Sequence, residues 1–147
     1  MRVAQVTPLW EQVPPVGYGG TETVVSLLTE ELVRRGHQVT LFASGDSSTL
    51  AHLEPGCDRA LRPLGMLPPE YAQHEARQLV KAFDHADQFD VIHSHMDLAA
   101  LPYGERSLTP VVHTVHGILT AVTGKLFSQY RRENFVSISN SQRRDDL

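Results

Sequence analysis

The sequence predicts an α/β domain, a three-layer sandwich whose mostly parallel sheet is covered by helices on both faces. Three observations carry that prediction. Short apolar, β-prone runs alternate with longer segments of helical periodicity, the order expected of parallel strands joined by crossover helices. The first such unit (strand, glycine-rich loop, helix, strand) closes within about 40 residues, the span of a right-handed parallel crossover. Finally, 41% of the 147 residues are hydrophobic, enough for the core of one domain.

The elements follow in order. Arg2–Val6 holds Val3, Ala4 and Val6 ahead of Thr7-Pro8 and reads as a buried strand. A Pro/Gly-rich loop, Glu11 to Gly20, leads to a helix predicted from an N-cap at Thr21 to about Arg35. Its apolar positions are Val24, Val25, Leu28 and Leu32, with Glu22 in the first turn and Arg34-Arg35 in the last, matched to the helix dipole. Gly36 is the expected left-handed residue after it. Val39–Ala43 is the second strand, ending at Ser44-Gly45-Asp46. Between Thr49 and Leu67 the pattern is weak, and Ala60–Leu64 is the best match to a short edge strand. Pro68-Pro69 opens a second helix with a stripe of Ala72, Ala76, Leu79, Val80 and Phe83. Asp90–His95, Pro110–Gly117 and Phe135–Ser139 read as further strands. A short helix near Leu98–Gly104 and a longer one from Ile118 to about Arg132 connect them. Ser141 then has the character of an N-cap for a last helical segment from Gln142 to Leu147.

Charge and composition exclude several functions. There are 13 Lys and Arg against 17 Asp and Glu, a net charge of −4, and no basic block. A nucleic-acid surface that tracks phosphates is therefore not expected. No apolar run approaches the ~18 residues of a membrane span, and Met1–Val6 lacks the features of a signal peptide. The expected setting is the cytoplasm, with peripheral membrane contact left open. Cys57 stands alone, in Pro55-Gly56-Cys57-Asp58, which reads as a turn; neither an internal disulfide nor a cysteine zinc cage can form.

In a parallel sheet, ligands gather at the carboxyl ends of the strands. Three polar segments are expected there: Gly19-Gly20, His93–Asp97 and His113–Gly117. Gly17-Tyr18-Gly19-Gly20-Thr21-Glu22 is neither a dinucleotide fingerprint nor a P-loop. Its glycines still allow close backbone approach, and the helix behind them favours an anion such as a diphosphate. A turn that merely packs the helix is the alternative. His93-Ser94-His95-Met96-Asp97 has the His-x-His-x-Asp form of binuclear metal hydrolases, and residues two apart on a strand share a face. The same residues suit hydroxyl recognition by neutral imidazole, or a plain polar strand end. His116-Gly117 closes a strand, where the imidazole can bond a sugar or nucleotide hydroxyl or take a proton, or simply cap the strand. Trp10 and Tyr18, flanking the Pro14-Pro15 pair, could form an apolar or sugar-stacking wall for an acceptor, or ordinary surface packing.

Taken together, Gly19-Gly20-Thr21-Glu22, the run from Leu27 to Ala43, Asp90–His95, Val112–Gly117 and Val136–Ser141 resemble the N-terminal domain of retaining GT-B glycosyltransferases of family 4. The resemblance extends over nearly the whole chain in the same order. It implies a Rossmann-like domain, residues 1–147, forming the acceptor-side half of a two-domain enzyme. The C-terminal nucleotide-sugar domain, with its Glu-x7-Glu motif, is absent from this sequence. The implied reaction moves a sugar from a nucleotide-sugar donor to an acceptor hydroxyl with retained anomeric configuration. The nucleotide sugar is a substrate, and no cofactor or metal is implied. By position, Gly19 and Gly20 match the loop approaching the donor diphosphate. His116, with Gly117, matches the histidine at the donor sugar and is the implied catalytic residue. His95, Asp97 and Ser139 fall where acceptor contacts are expected.

An isolated half lacks part of the charge stabilisation that a departing diphosphate needs and cannot close a cleft around two substrates. The chain alone is expected to be inactive. Two other classes are kept beside this one: a metal-dependent hydrolase using His93, His95 and Asp97, and a stand-alone binding domain.

Overall fold

Val3, Ala4 and Val6 form the buried centre of the first strand, and the rest of the sheet is assembled around it. The computed structural model describes residues 1–143. In chain order these form β1 (Arg2–Val6), α1 (Gly20–Arg34), β2 (Gln38–Ser44), β3 (His52–Cys57), α2 (Pro68–Asp84) and β4 (Val91–Ser94). There follow α3 (Leu101–Gly104), β5 (Val111–Val115), α4 (Ala121–Phe127) and β6 (Asn134–Ser137). Short 3-10 turns occupy Ala86–Gln88, Asp97–Ala100 and Asn140–Gln142.

The strands make one six-stranded sheet in the order β3-β2-β1-β4-β5-β6. Every pairing is parallel, so the sheet is Rossmann-like throughout. Side chains alternate across it. Ala4, Val6, Phe42, Ile92 and Val111 meet Leu79 and Ala82 of α2 on one face. Leu41 and Ala43 meet Val25 of α1 and Val13 of the loop before it on the other. These are the two covering layers the alternation of elements predicts.

Local details depart from the sequence reading in five places. The N-cap of α1 is Gly19, not Thr21. The Gly19 carbonyl accepts from the Thr23 amide at 2.9 Å and its hydroxyl at 2.8 Å, so the helix begins ahead of Thr21. The buried line of α1 is Glu22, Val25 and Thr29, and Val24 is turned outward. Gly36 does adopt φ +84°, as a residue beyond a helix end should.

The edge strand is His52–Cys57, and Ala60–Leu64 is not a strand. Pro55-Gly56 looks like a turn in sequence, but a proline on an edge strand forfeits no ladder bond. Gly56 lies beneath Gln78, whose amide would collide with any Cβ there. Leu61 instead joins Leu9 and Tyr71 in a separate apolar cluster.

In α2 the buried residues are Tyr71, Gln78, Leu79 and Ala82, while Ala72, Ala76 and Val80 face outward. Small alanines fit either face, so their spacing does not fix which side of the helix is buried. The helix expected over Ile118–Arg132 is confined to Ala121–Phe127, capped by Thr120. Turns at Tyr130 and Glu133 replace its second half. Ser139, not Ser141, caps the final turn, its Oγ accepting from the Gln142 amide at 3.2 Å. Positions 144–147, where the last helix was expected, lie outside the described residues.

Candidate active site

The strand order reverses between β1 and β4, and the carboxyl ends of β1, β4 and β5 lie together there. Gln5 pairs in register with His93, and His93 with Val112. Residues in register share a face, as do those two further along each strand. Gln5, His93, His95, Thr114 and His116 are thereby brought onto one face, the α1 side. A strand-period pattern inside each segment selects the face, and the parallel register brings the segments side by side.

These side chains form a connected array. His95 Nδ1 lies 2.9 Å from His116 Nε2, and His95 Nε2 lies 2.9 Å from Gln5 Oε1. His93 Nε2 is 2.7 Å from the Thr114 hydroxyl, and its ring stacks on His95 with centroids 4.3 Å apart. His95 is only 1% exposed, whereas His116 is half-buried and borders solvent. Burial, reinforced by the neighbouring imidazoles, lowers His93 to about 4 and His95 to about 2. Burial also lowers His116, with the nearby Asp97 carboxylate opposing the shift. At neutral pH the array is therefore a set of uncharged imidazoles, able both to donate and to accept.

Asp97 follows β4 in the left-handed region, at φ 45°, a conformation aspartate tolerates better than most residues. Its Oδ1 accepts from the His116 amide at 2.8 Å and its Oδ2 from the Gly117 amide at 3.2 Å. A Cβ at Gly117 would stand 3.1 Å from Asp97 Oδ2, so the glycine permits the close approach of that carboxylate. From the other side, Gln142 Nε2 donates to the carbonyls of Val115 and Gly117 at 2.9 and 2.8 Å. Four hydrogen bonds, two to Asp97 and two from Gln142, thus hold the exit of β5 in place.

The glycine loop lies at the same sheet edge, because α1 must start there to return the chain to the foot of parallel β2. Gly19 is buried, and a Cβ would fall 2.6 Å from Pro15 Cβ and 3.1 Å from Glu22 Oε2. Gly20 has open space around it. Glu22 is 2% exposed, and its carboxyl turns back toward its own amide and that of Glu11. Burial raises its pKa despite those bonds. Arg62 holds the rim: its guanidinium lies 5.7 Å from the ring centroids of both Trp10 and Tyr18 and bonds Glu11 at 3.0 Å.

The remaining sequence candidates are placed elsewhere. His113, on the opposite face of β5, is fully buried against Glu133 at 3.0 Å. Ser139 is exposed and bonded to Ser141 Oγ at 3.0 Å. The Cys57 thiol is pushed up to about 11, chiefly by burial, and so is a poor nucleophile. Both ring nitrogens of His95 have protein partners and both Asp97 oxygens hold amides, so the His-x-His-x-Asp segment is not arranged as a ligand set. Among the described residues no group of three or more His, Cys, Asp or Glu is placed to hold a metal ion. Gln5, Thr114 and Gln142 are site residues that sequence reasoning passed over. The one available signal was Gln5, a polar residue amid Val3, Ala4 and Val6.

The family model for Glycosyltransferase Family 4 matches residues 18–144, spanning the glycine loop, both histidine strands and Gln142. The chain belongs to glycosyltransferase family 4. This family 4 domain is 28% identical to AviGT4, a glycosyltransferase involved in avilamycin A biosynthesis, over 79% of its own length at a TM-score of 0.50. It also shares its fold with sucrose-phosphate synthase from Thermosynechococcus elongatus, at 17% identity over 93% of the chain and a TM-score of 0.60. The domain covers 32% of the first of these chains and 47% of the second. No curated protein matches it. Among its described residues, no helix is long and apolar enough to cross a membrane.

Proposed function

We propose that this domain is the acceptor-side half of a retaining glycosyltransferase. In this reading it works with a C-terminal nucleotide-sugar domain of the same protein and is inactive alone. The observation that carries the reading is the position of His116. It follows β5 directly, beside the strand-order reversal, borders solvent, and has its own amide held by Asp97 and its neighbours' carbonyls by Gln142. A neutral, immobilised imidazole at that edge can bond a hydroxyl of the transferred sugar as charge develops at its anomeric carbon.

The other roles follow from placement. The first turn of α1, behind Gly19 and Gly20, offers backbone amides to the donor diphosphate, and the exposed Gly20 leaves room for it. Gly117 lets the donor approach beside His116. Asp97 serves the acceptor side mainly by holding the β5 exit, and His95 by holding His116, since its ring is shielded from solvent. Ser139 stands at the outer edge, where an acceptor could reach its hydroxyl. The donor is a nucleotide sugar and the acceptor a hydroxyl compound. The reaction needs no cofactor from this half and takes place in the cytoplasm.

The test is transfer by the two-domain enzyme carrying this sequence, supplied with UDP-glucose and GDP-mannose in turn. Nucleoside diphosphate release and product NMR would be followed. The expected result is an acceptor glycoside with the donor's anomeric configuration, and no transfer by the 147-residue chain alone. An inverted product would remove retention, and transfer by the isolated chain would remove the need for a second domain.

A further inference from the structure

We infer that Gln5 is a positioning residue: through His95 it fixes the proton on Nε2 of His116 and leaves Nδ1 of His116 bare, an acceptor for a substrate hydroxyl. The inference deepens the proposed function, on which the role of the hydroxyl rests, but the proton arrangement belongs to the free domain.

Protons along the array are fixed in turn from Gln5 outward. With the Gln5 amide oriented as in this structure, Oε1 faces His95 and can only accept, so the His95 nitrogen 2.9 Å away carries the hydrogen. That nitrogen is Nε2. A neutral imidazole holds one proton, and the depth of His95 in the sheet keeps it neutral. Its Nδ1 is therefore a lone pair, and it faces His116 Nε2 at 2.9 Å. Only a hydrogen on His116 Nε2 makes that contact a bond. His116, neutral in turn, is left with an unprotonated Nδ1. Gln5, at the inner end of the array, lies in β1 with no exposure to solvent.

The surroundings do not supply a competing instruction. His93 stacks against His95 and bonds Thr114, whose hydroxyl can turn to either role and so imposes no direction. Asp97 meets His116 through its backbone amide, and Gln142 through backbone carbonyls of its neighbours. Gln5 Nε2 is buried and has no partner among the described residues. A valine or alanine, like those around it in β1, would leave no such donor stranded.

The consequence for recognition is specific. A His116 that accepts at Nδ1 favours a ligand donating a hydroxyl and disfavours one presenting only a phosphate or carbonyl oxygen there.

The test is a long-range proton–nitrogen correlation spectrum of the histidine rings in the nitrogen-15-labelled domain at neutral pH. His116 is expected as the Nε2–H tautomer, with its Nδ1 resonance in the unprotonated range. In Gln5→Met, His95 loses its acceptor, and the His116 tautomer ratio is expected to shift several-fold toward Nδ1–H. Thr114→Val is the control and should leave His116 unchanged. An Nδ1–H tautomer of His116 in the unmodified domain overturns the inference, and this measurement stands even if Gln5→Met fails to fold. A His116 indifferent to Gln5→Met in a folded protein overturns it as well. Because no sugar is present, these outcomes are independent of whether transfer is observed. Addition of UDP-glucose or GDP-mannose, with a shift confined to His116 Nδ1, would then bear on the function itself.

Discussion

The carboxylate of Asp97 receives the backbone amides of both His116 and Gly117, so the residue that leaves β4 determines how β5 ends. The two strands are neighbours in the sheet, and this bridge sits just beyond their last ladder pair, Ser94 with His113. It converts two independent strand exits into one rigid edge.

Removing that bridge has a defined cost. Asp97→Ala leaves two amides without their acceptor and is expected to lower stability by about 1–3 kcal/mol, read as a shifted urea midpoint. Asp97→Asn keeps one accepting oxygen and should lose less. Equal midpoints for Asp97→Ala and the unmodified domain would mean that solvent replaces the carboxylate.

Two glycines should respond in opposite ways. At Gly104 a Cβ would stand 2.7 Å from Glu133 Oε2 and 2.9 Å from His113 Nε2, inside a buried pair that has little room to shift. Gly104→Ala is expected to destabilise by about 1–3 kcal/mol. Gly20 opens α1 with nothing near its missing side chain. Gly20→Ala should be neutral or stabilising by up to about 1 kcal/mol in thermal unfolding, while weakening donor affinity in the two-domain enzyme.

Acid should weaken the domain through its histidines. His93 and His95 are held below the ordinary histidine value, so between about pH 6.5 and about 4 the unfolded chain binds protons that the folded chain refuses. Their contribution to stability is whole above that window and is lost as pH falls through it. Glu22, Glu75 and Asp97, all raised, act in the opposite sense. The histidine share is isolated by comparison: His93→Asn should flatten the fall in urea midpoint between pH 6.5 and 5. An unchanged slope would show that His93 ionises freely in the folded domain.

Zinc offers a direct check on the His-x-His-x-Asp segment. Its ligand atoms already hold protein partners, so calorimetry is expected to record no stoichiometric binding at micromolar zinc. A one-to-one isotherm abolished by His95→Ala would restore the hydrolase reading.

The sequence made the parallel architecture readable because strand and helix periods differ, and alternating runs such as Val39–Ala43 and Val91–Ser94 carry that difference openly. It also placed His93 and His95 on one face. It was silent about register, and register is what brings Gln5 to His95 across 90 positions of chain. The edge strand was missed because Pro55-Gly56 carries turn chemistry that an unpaired edge makes harmless. The rotated stripe of α2 has a similar origin, since Gln78 is buried by its bond to the Thr7 carbonyl at 2.7 Å and not by its hydrophobicity. Polar residues buried for a partner far away in sequence are invisible to periodicity.

The pairing of β1 with β4 joins Val3 to Val91, while the other side of β1 is taken by β2. On a ribosome adding about 5–20 residues per second, the first strand therefore waits roughly 5–20 seconds before its second neighbour is made. During that interval β1 displays an open edge of unpaired N–H and C=O groups to the crowded cell. A central strand is thus made ahead of both its neighbours and is covered on its second side only when β4 arrives, which makes the nascent chain, more than the finished domain, the form in need of a chaperone.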